Sequence, residues 1–165
     1  MDRPQDAVGA PLAAGAWGVG AMARYVFRTA DAIRYRFPTH VNDLLMDRSE
    51  AETSEVFIVV LQPGEAPPLH RHPDCEQIFY VLEGTGVLEV GETPDRYTVR
   101  PGDLVRIPPN TSHRMVCTGA EPVRYLSVDA FVEGRGARAE PTWETHVRAM
   151  CKEYGWDIDQ VRIRR

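Results

Sequence analysis

Apolar residues recur along this chain in short runs separated by turns rich in glycine and proline. Residues 55–61 read EVFIVVL, a continuous, largely β-branched run that suits a strand buried on both faces. Gln62, Pro63 and Gly64 end it with a turn. Further strand patterns follow at 69–72, 77–82, 87–90, 96–99, 104–107, 113–117 and 123–131, each bounded by turn residues. Upstream, 24–28, 35–37 and 40–46 carry shorter strand patterns, and the polar stretch 47–54 reads as a loop. Many short strands with such punctuation predict an all-β sandwich or barrel, not βαβ units.

One helix interrupts this rhythm. After an irregular stretch at 132–141, Thr142 can cap a helix, Glu144 suits its positive N-terminal end and Gly155 can stop it. Trp143, Val147, Met150, Cys151 and Tyr154 fall on one helical face, a stripe that packs on the barrel or on a partner subunit. A last strand is expected at 161–163 within the tail. No internal repeat is present, so one barrel is expected. The expected division is a disordered leader over residues 1–22, a barrel over 23–140, and a helix and tail over 141–165, with Met22 a natural start for the ordered part.

Composition narrows the function classes. A chain of 165 residues can bury a full core, and 43% hydrophobic with 26% charged residues is ordinary for a globular protein. The net charge is −5, and basic residues are scattered apart from Arg162, Arg164 and Arg165, which argues against a nucleic-acid surface. No apolar run approaches membrane-spanning length. The Ala/Gly-rich stretch 7–23 is broken by Pro11 and lacks a secretory core. Cys75, Cys117 and Cys151 are odd in number and widely spaced, which suggests reduced thiols and a cytoplasmic setting. Cys75 lies near a histidine pair, although a small buried apolar role is the simpler reading.

That pair, His70 and His72, is the main chemical signal. Alternate residues of a strand share a face, so two imidazoles would project together, with His113 available from a later strand. The surrounding spacing resembles the cupin superfamily. Its first motif runs Gly, five residues, His-x-His, three or four residues, Glu or a substitute, six residues, Gly. Here Gly64 is followed by five residues, His70 and His72, four residues, Gln77, six residues and Gly84. The second motif runs Gly, five residues, Pro-x-Gly, two residues, His, three residues, Asn. It is matched by Gly102, Pro108 to Asn110, His113 and Cys117. The resemblance extends over residues 55–131 and implies a double-stranded β-helix, or jelly-roll, barrel with a metal site, and a homodimer.

Three positions depart from the pattern. Gln77 stands where Glu is usual, Asn110 replaces a Gly but tolerates a left-handed backbone, and Cys117 replaces a terminal Asn that is not a ligand. The neighbouring Glu76 competes with Gln77. The six residues to Gly84 select Gln77, and alternation agrees, because Gln77, Phe79 and Val81 share one face while Glu76, Ile78 and Tyr80 share the other.

The resemblance therefore implies His70, His72, Gln77 and His113 as ligands of one divalent transition metal: Zn, Mn, Fe, Ni or Cu. An amide cannot serve as a proton acceptor as a carboxylate can. This favours non-redox Lewis-acid chemistry (isomerase, cyclase or lyase) on an oxygenated small molecule. A cupin-type dioxygenase is the alternative, and a non-catalytic ligand-binding module a third. Phe79, Val81 and Met115 share parity with the ligands and are expected to line the pocket. Tyr125, Ser127 and Asp129 alternate on one face. If that face points inward, Asp129 is the candidate general base; if outward, it is a surface acid. Arg106 and Arg124 read as solvated. His40 and His146 lie outside both motifs, with His146 expected at the helix surface.

Overall fold

The turn-punctuated runs pair into two antiparallel sheets. The computed structural model describes residues 24–163, so the expected leader at 1–22 lies outside the described residues. The strands are β1 (Ile33–Phe37), β2 (His40–Met46), β3 (Ser54–Leu61), β4 (Cys75–Glu83), β5 (Gly86–Val90), β6 (Asp95–Val99), β7 (Leu104–Ile107), β8 (His113–Cys117), β9 (Val123–Phe131) and β10 (Arg162–Ile163). One sheet has the order β10-β1-β2-β3-β9-β4-β7, the other β6-β5-β8. This is the all-β architecture expected from the pattern, in the jelly-roll form implied by the resemblance, except that the strands form two separate sheets instead of one closed barrel.

Register places the inward residues of the large sheet in rows. Glu55, Asp129 and Gln77 are cross-strand neighbours on β3, β9 and β4. The next row is Phe57, Ser127 and Phe79, and the one after it Asn42, Val59, Tyr125 and Val81. The apolar members of these rows join Leu88, Val99, Met115 and Cys117 of the smaller sheet in one core. Two tight backbone positions hold the connections. A Cβ on Gly84 (φ 75°) would collide with the Pro122 carbonyl, and Asn110 adopts the left-handed conformation (φ 60°) that its motif position requires.

Helix α1 (Trp143–Tyr154) is closed by a reciprocal Thr142–Thr145 cap and by Gly155 at φ 69°. Its apolar stripe is spent within the chain. Trp143, Val147 and Cys151 are buried in the core, with the Trp143 ring 4.8 Å from Phe57 and 6.0 Å from Tyr35.

Four local expectations are changed in the structure, the last by a single residue. Residues 24–28 form no strand, because Tyr25 and Val26 find no partner surface and remain 89% and 67% exposed. The stretch 69–72 contributes one bridge, His70 to His113, since Pro67 and Pro68 just before it carry no N–H for a ladder. The run 55–61 is buried on both faces only at its centre: Phe57, Val59 and Leu61 are buried inward, and on the opposite face Ile58 is buried while Val56 and Val60 are half-buried. In the tail, Val161 ends the short helix α2 (Ile158–Val161) before β10 begins.

Candidate metal centre

The backbone brings the motif histidines together before any ligand is considered. His70 and His113 exchange two backbone hydrogen bonds, at 3.2 and 2.8 Å, which clamps the proline-led segment onto β8. The amide N–H of left-handed Asn110 donates to the His72 carbonyl at 2.7 Å and fixes the next residue. As a result one ring nitrogen from each of His70, His72 and His113 lies within 4.8 Å of the others.

The ring nitrogens then divide into two sets. His70 Nδ1 meets the Pro68 carbonyl at 2.8 Å, and His113 Nδ1 meets the Thr111 carbonyl at 2.9 Å. Each carbonyl accepts a ring N–H, so the proton sits on Nδ1 and Nε2 carries a lone pair. His72 Nε2 is buried with no hydrogen-bond partner. Burial lowers the pKa of all three rings, that of His113 to about 4, and keeps them neutral as metal ligation requires.

Gln77 completes the set. Its Nε2 donates to Asp129 Oδ1 at 2.8 Å, which turns Oε1 towards His113 Nε2 at 2.7 Å. With the His113 proton on Nδ1, that short contact joins two acceptors. Imidazolium would relieve it, but burial opposes the second proton. A cation between the two acceptors relieves it directly, so the residues present fit a bound metal ion.

Behind Gln77 lies a buried charge network. Asp129 accepts from Gln77 and, more weakly at 3.4 Å, from Ser127. Glu55, its cross-strand neighbour, is completely buried and receives two hydrogen bonds of 2.6 Å from Arg48. Burial raises both carboxyls above their usual range, while the Arg48 guanidinium opposes the rise. Arg48 also reaches Glu140 at 3.4 Å, and Glu140 binds His146 Nδ1 at 2.6 Å.

The histidines open on a cavity of about 500 Å³, within the size range of small-molecule sites. Phe79, Met115 and Asp129 line it, with Asp129 on the inward face. Val81 does not line it. It shares their parity but is packed in the core, whereas Asn42, Val59 and Tyr125 of the same row reach the cavity. Glu76 points outward and pairs with Arg106 at 2.5 Å, and Arg124 pairs with Glu83 at 2.7 Å, so both arginines are spent at the surface. Cys75 is buried, and burial pushes its thiol far up.

Two cavity histidines escaped the sequence reading. His146 is not a surface residue: its side chain is 16% exposed and its ring lies 6.3 Å from that of His72. The signal was its i,i+3 spacing from Trp143 on the buried helical face. His40 also lines the cavity, stacked on Phe37 at 4.7 Å, and burial lowers its pKa to about 3. The signal was alternation along β2, which puts His40 and Asn42 on one face.

The fold is a two-sheet jelly roll in which three histidines and an amide converge on one cavity, an arrangement that could hold a metal ion. Residues 57–129 match the model of the family described as "Cupin domain", and this segment is a cupin domain. It is 30% identical over 111 residues to auxin-binding protein 1 of Arabidopsis thaliana, covering 62% of this chain and 56% of that one. It is 32% identical over 90 residues to quercetin 2,3-dioxygenase of Bacillus subtilis, covering 54% of this chain and 26% of that one. The polyketide cyclase RemF of Streptomyces resistomycificus shares the fold at a TM-score of 0.56 and 23% identity, covering 73% of this chain and 90% of that one. The chain spans about half the length of the first of these relatives and about a quarter of the second. Among the described residues no helix is long and apolar enough to cross a membrane.

Proposed function

We propose that the protein is a mononuclear-metal enzyme acting on an oxygenated small molecule by Lewis-acid chemistry of the isomerase, cyclase or lyase type. His70, His72, His113 and the Gln77 amide oxygen would hold one divalent transition ion. The observation that carries this reading is the convergence of one ring nitrogen from each of His70, His72 and His113 within 4.8 Å, with Gln77 Oε1 2.7 Å from His113 Nε2. When bound, the ion supplies electrophilic polarisation of a substrate oxygen. Four neutral ligands leave its charge undiminished, unlike a set containing a carboxylate.

The remaining roles fall to the chain itself. Asp129 is a positioning residue, because its Oδ1 is committed to Gln77 and sets which end of the amide faces the histidines. This replaces the role of general base that its inward position first suggested. His146 is better placed to move a proton in the cavity: Glu140 holds its Nδ1 at 2.6 Å, leaving Nε2 free of that partner. Phe57, Phe79 and Trp143 exclude water from the cavity walls.

The reading is tested by anaerobic proton NMR of small hydroxyketones in deuterium oxide with metal-loaded protein. Metal-dependent exchange of the proton α to the carbonyl supports it. Oxygen consumption without anaerobic exchange supports instead a dioxygenase using the same ligands, the reading suggested by the likeness to quercetin 2,3-dioxygenase. We also propose a cytoplasmic homodimer. Tyr80, Leu82 and Leu104 are 44%, 39% and 68% exposed around edge strand β7 and offer an apolar contact surface. Light scattering at micromolar concentration tests it, and a monomer refutes it.

A further inference from the structure

All five histidines of this chain line one cavity. His70, His72 and His113 converge on the candidate metal position, and Glu140 holds His146. His40, which opens β2, belongs to neither group.

The His40 ring is fixed on two sides. It stacks on Phe37 with centroids 4.7 Å apart and ring planes 21° apart. Its Nδ1 lies 2.9 Å from the Thr39 hydroxyl oxygen. Its Nε2 meets no hydrogen-bond partner among the described residues. Unlike Asn42 Oδ1 and Trp143 Nε1, which are sealed in the wall, that nitrogen keeps accessible surface. His40 is 7% exposed and lines the cavity, so the surface it retains opens there.

Much of the polar wall around it is spent. Gln77 and Ser127 donate to Asp129, Ser112 donates to Glu92 at 2.5 Å, and Arg114 is tied to Glu89 at 2.7 Å. Tyr125 adds a hydroxyl that burial and the nearby Asp129 keep protonated. Burial, reinforced by His70 and Arg36, lowers the His40 pKa to about 3. The ring is therefore neutral at ordinary pH, with one proton to place on one of its two nitrogens. A hydroxyl that donates to Nδ1 leaves that proton on Nε2.

We propose that His40 is a catalytic residue of this cavity: Thr39 donates to its Nδ1, and its Nε2–H donates to a substrate oxygen on which negative charge builds. No proton leaves the ring. As His146 Nε2 takes the proton α to a carbonyl, the electron pair of that C–H bond moves towards the carbonyl oxygen. A fixed neutral donor at that oxygen stabilises the charge without reorganising. The two histidines thus divide the work, one backed by a carboxylate and able to accept a proton, the other backed by a hydroxyl and kept neutral. The assignment rests on the Lewis-acid reading for its reaction, and on the geometry of His40 for its donor role.

The test uses full-length protein and erythrulose as the probe. With zinc-loaded protein in deuterium oxide, exchange at the carbons flanking the carbonyl should fall about 100-fold in His40→Phe, through kcat. KM and zinc content should stay unchanged, and His40→Gln, whose amide still donates, should recover part of the loss. A merely structural role predicts lost zinc or raised KM and no recovery by Gln, and either that pattern or full exchange in His40→Phe overturns the proposal. Two measurements on the unmodified protein need neither turnover nor a variant that folds. Nitrogen NMR of metal-free protein labelled in its histidine rings should show the His40 proton on Nε2 across roughly pH 5–8; a proton on Nδ1 overturns the proposal. Erythrulose in large excess should shift the His40 Nε2 signal and leave Nδ1 in place, and an unmoved Nε2 signal also overturns it. Protein that exchanges nothing refutes the Lewis-acid reading and leaves His40 to be decided by its nitrogen signals.

Discussion

Replacing Asp129 by Asn separates the positioning of Gln77 from the stability of the fold. In the native site an acceptor-only carboxylate faces Gln77 Nε2 at 2.8 Å and forces Oε1 towards the histidines. An Asn side chain presents a donor as readily as an acceptor, so the Gln77 amide is free to turn its NH₂ to the metal position. A hydrogen bond to a charged group contributes about 1.5–3 kcal/mol, and loss of a partner behind a metal ligand typically lowers affinity about 10–100-fold. We expect that loss in a competition titration with a zinc-binding dye. Stability should move the other way or not at all. Asp129 and Glu55 are adjacent carboxyls, both raised by burial, and neutralising one removes their repulsion. Urea unfolding of the metal-free variant is therefore expected at or above the native midpoint. Ser127→Ala, which removes only the 3.4 Å contact, should change metal affinity less than threefold on the weak-bond scale. Unchanged metal affinity in Asp129→Asn, or an equal loss in Ser127→Ala, refutes the positioning argument.

Other perturbations address the network and the cavity. Arg48→Met strands Glu55 and Asp129 without their buried cation; urea titration should show a loss of about 3–5 kcal/mol, and a change below about 1 kcal/mol contradicts the network. His40 has its pKa lowered from 6.5 to about 3, so the unfolded chain binds the extra proton first. Its contribution is complete above pH 6.5 and is lost as pH falls towards about 3, at about 1.4 kcal/mol per pH unit. In metal-free protein His40→Gln should flatten the acid limb of a stability–pH curve by about one proton, and an unchanged slope contradicts the burial of a neutral ring. All three cysteines are buried, so a thiol reagent at neutral pH should label them only on unfolding; rapid labelling of Cys75 in the native protein contradicts its placement.

The strands could be read wherever period-two alternation met a strong turn residue. The expected bounds of β2, β7, β8 and β9 coincide with those observed, because alternation and the flanking Gly, Pro and Asn acted together. At 24–28 alternation stood alone, and tertiary packing supplied no edge for it. Parity also sent Gln77 inward and Glu76 outward, but it could not separate Val81 from Phe79, since parity fixes the side of the sheet and not which inward side chains face the cavity. The Arg48–Glu55–Asp129 network was not legible. Arg48 lies in a polar stretch that reads as a solvated loop, and Glu55 looked like the polar start of an apolar run. Their burial follows from strand register and from the segment before α1, whose Arg138 and Glu140 reach Arg48, which are long-range facts. His146 was missed for the same reason: its helical phase put it beside Trp143, but only the docked helix brings it to the cavity.

The account stands on the proposal that His70, His72, His113 and the Gln77 oxygen, which converge on one cavity, hold a cation. Its most direct measurement is elemental analysis of protein purified without chelators, set beside His72→Ala and His113→Ala prepared in the same way. The expected result is one transition-metal ion per native chain, lost from both variants. Metal-free native protein that takes up none when supplied, or variants that keep the native content, would contradict it.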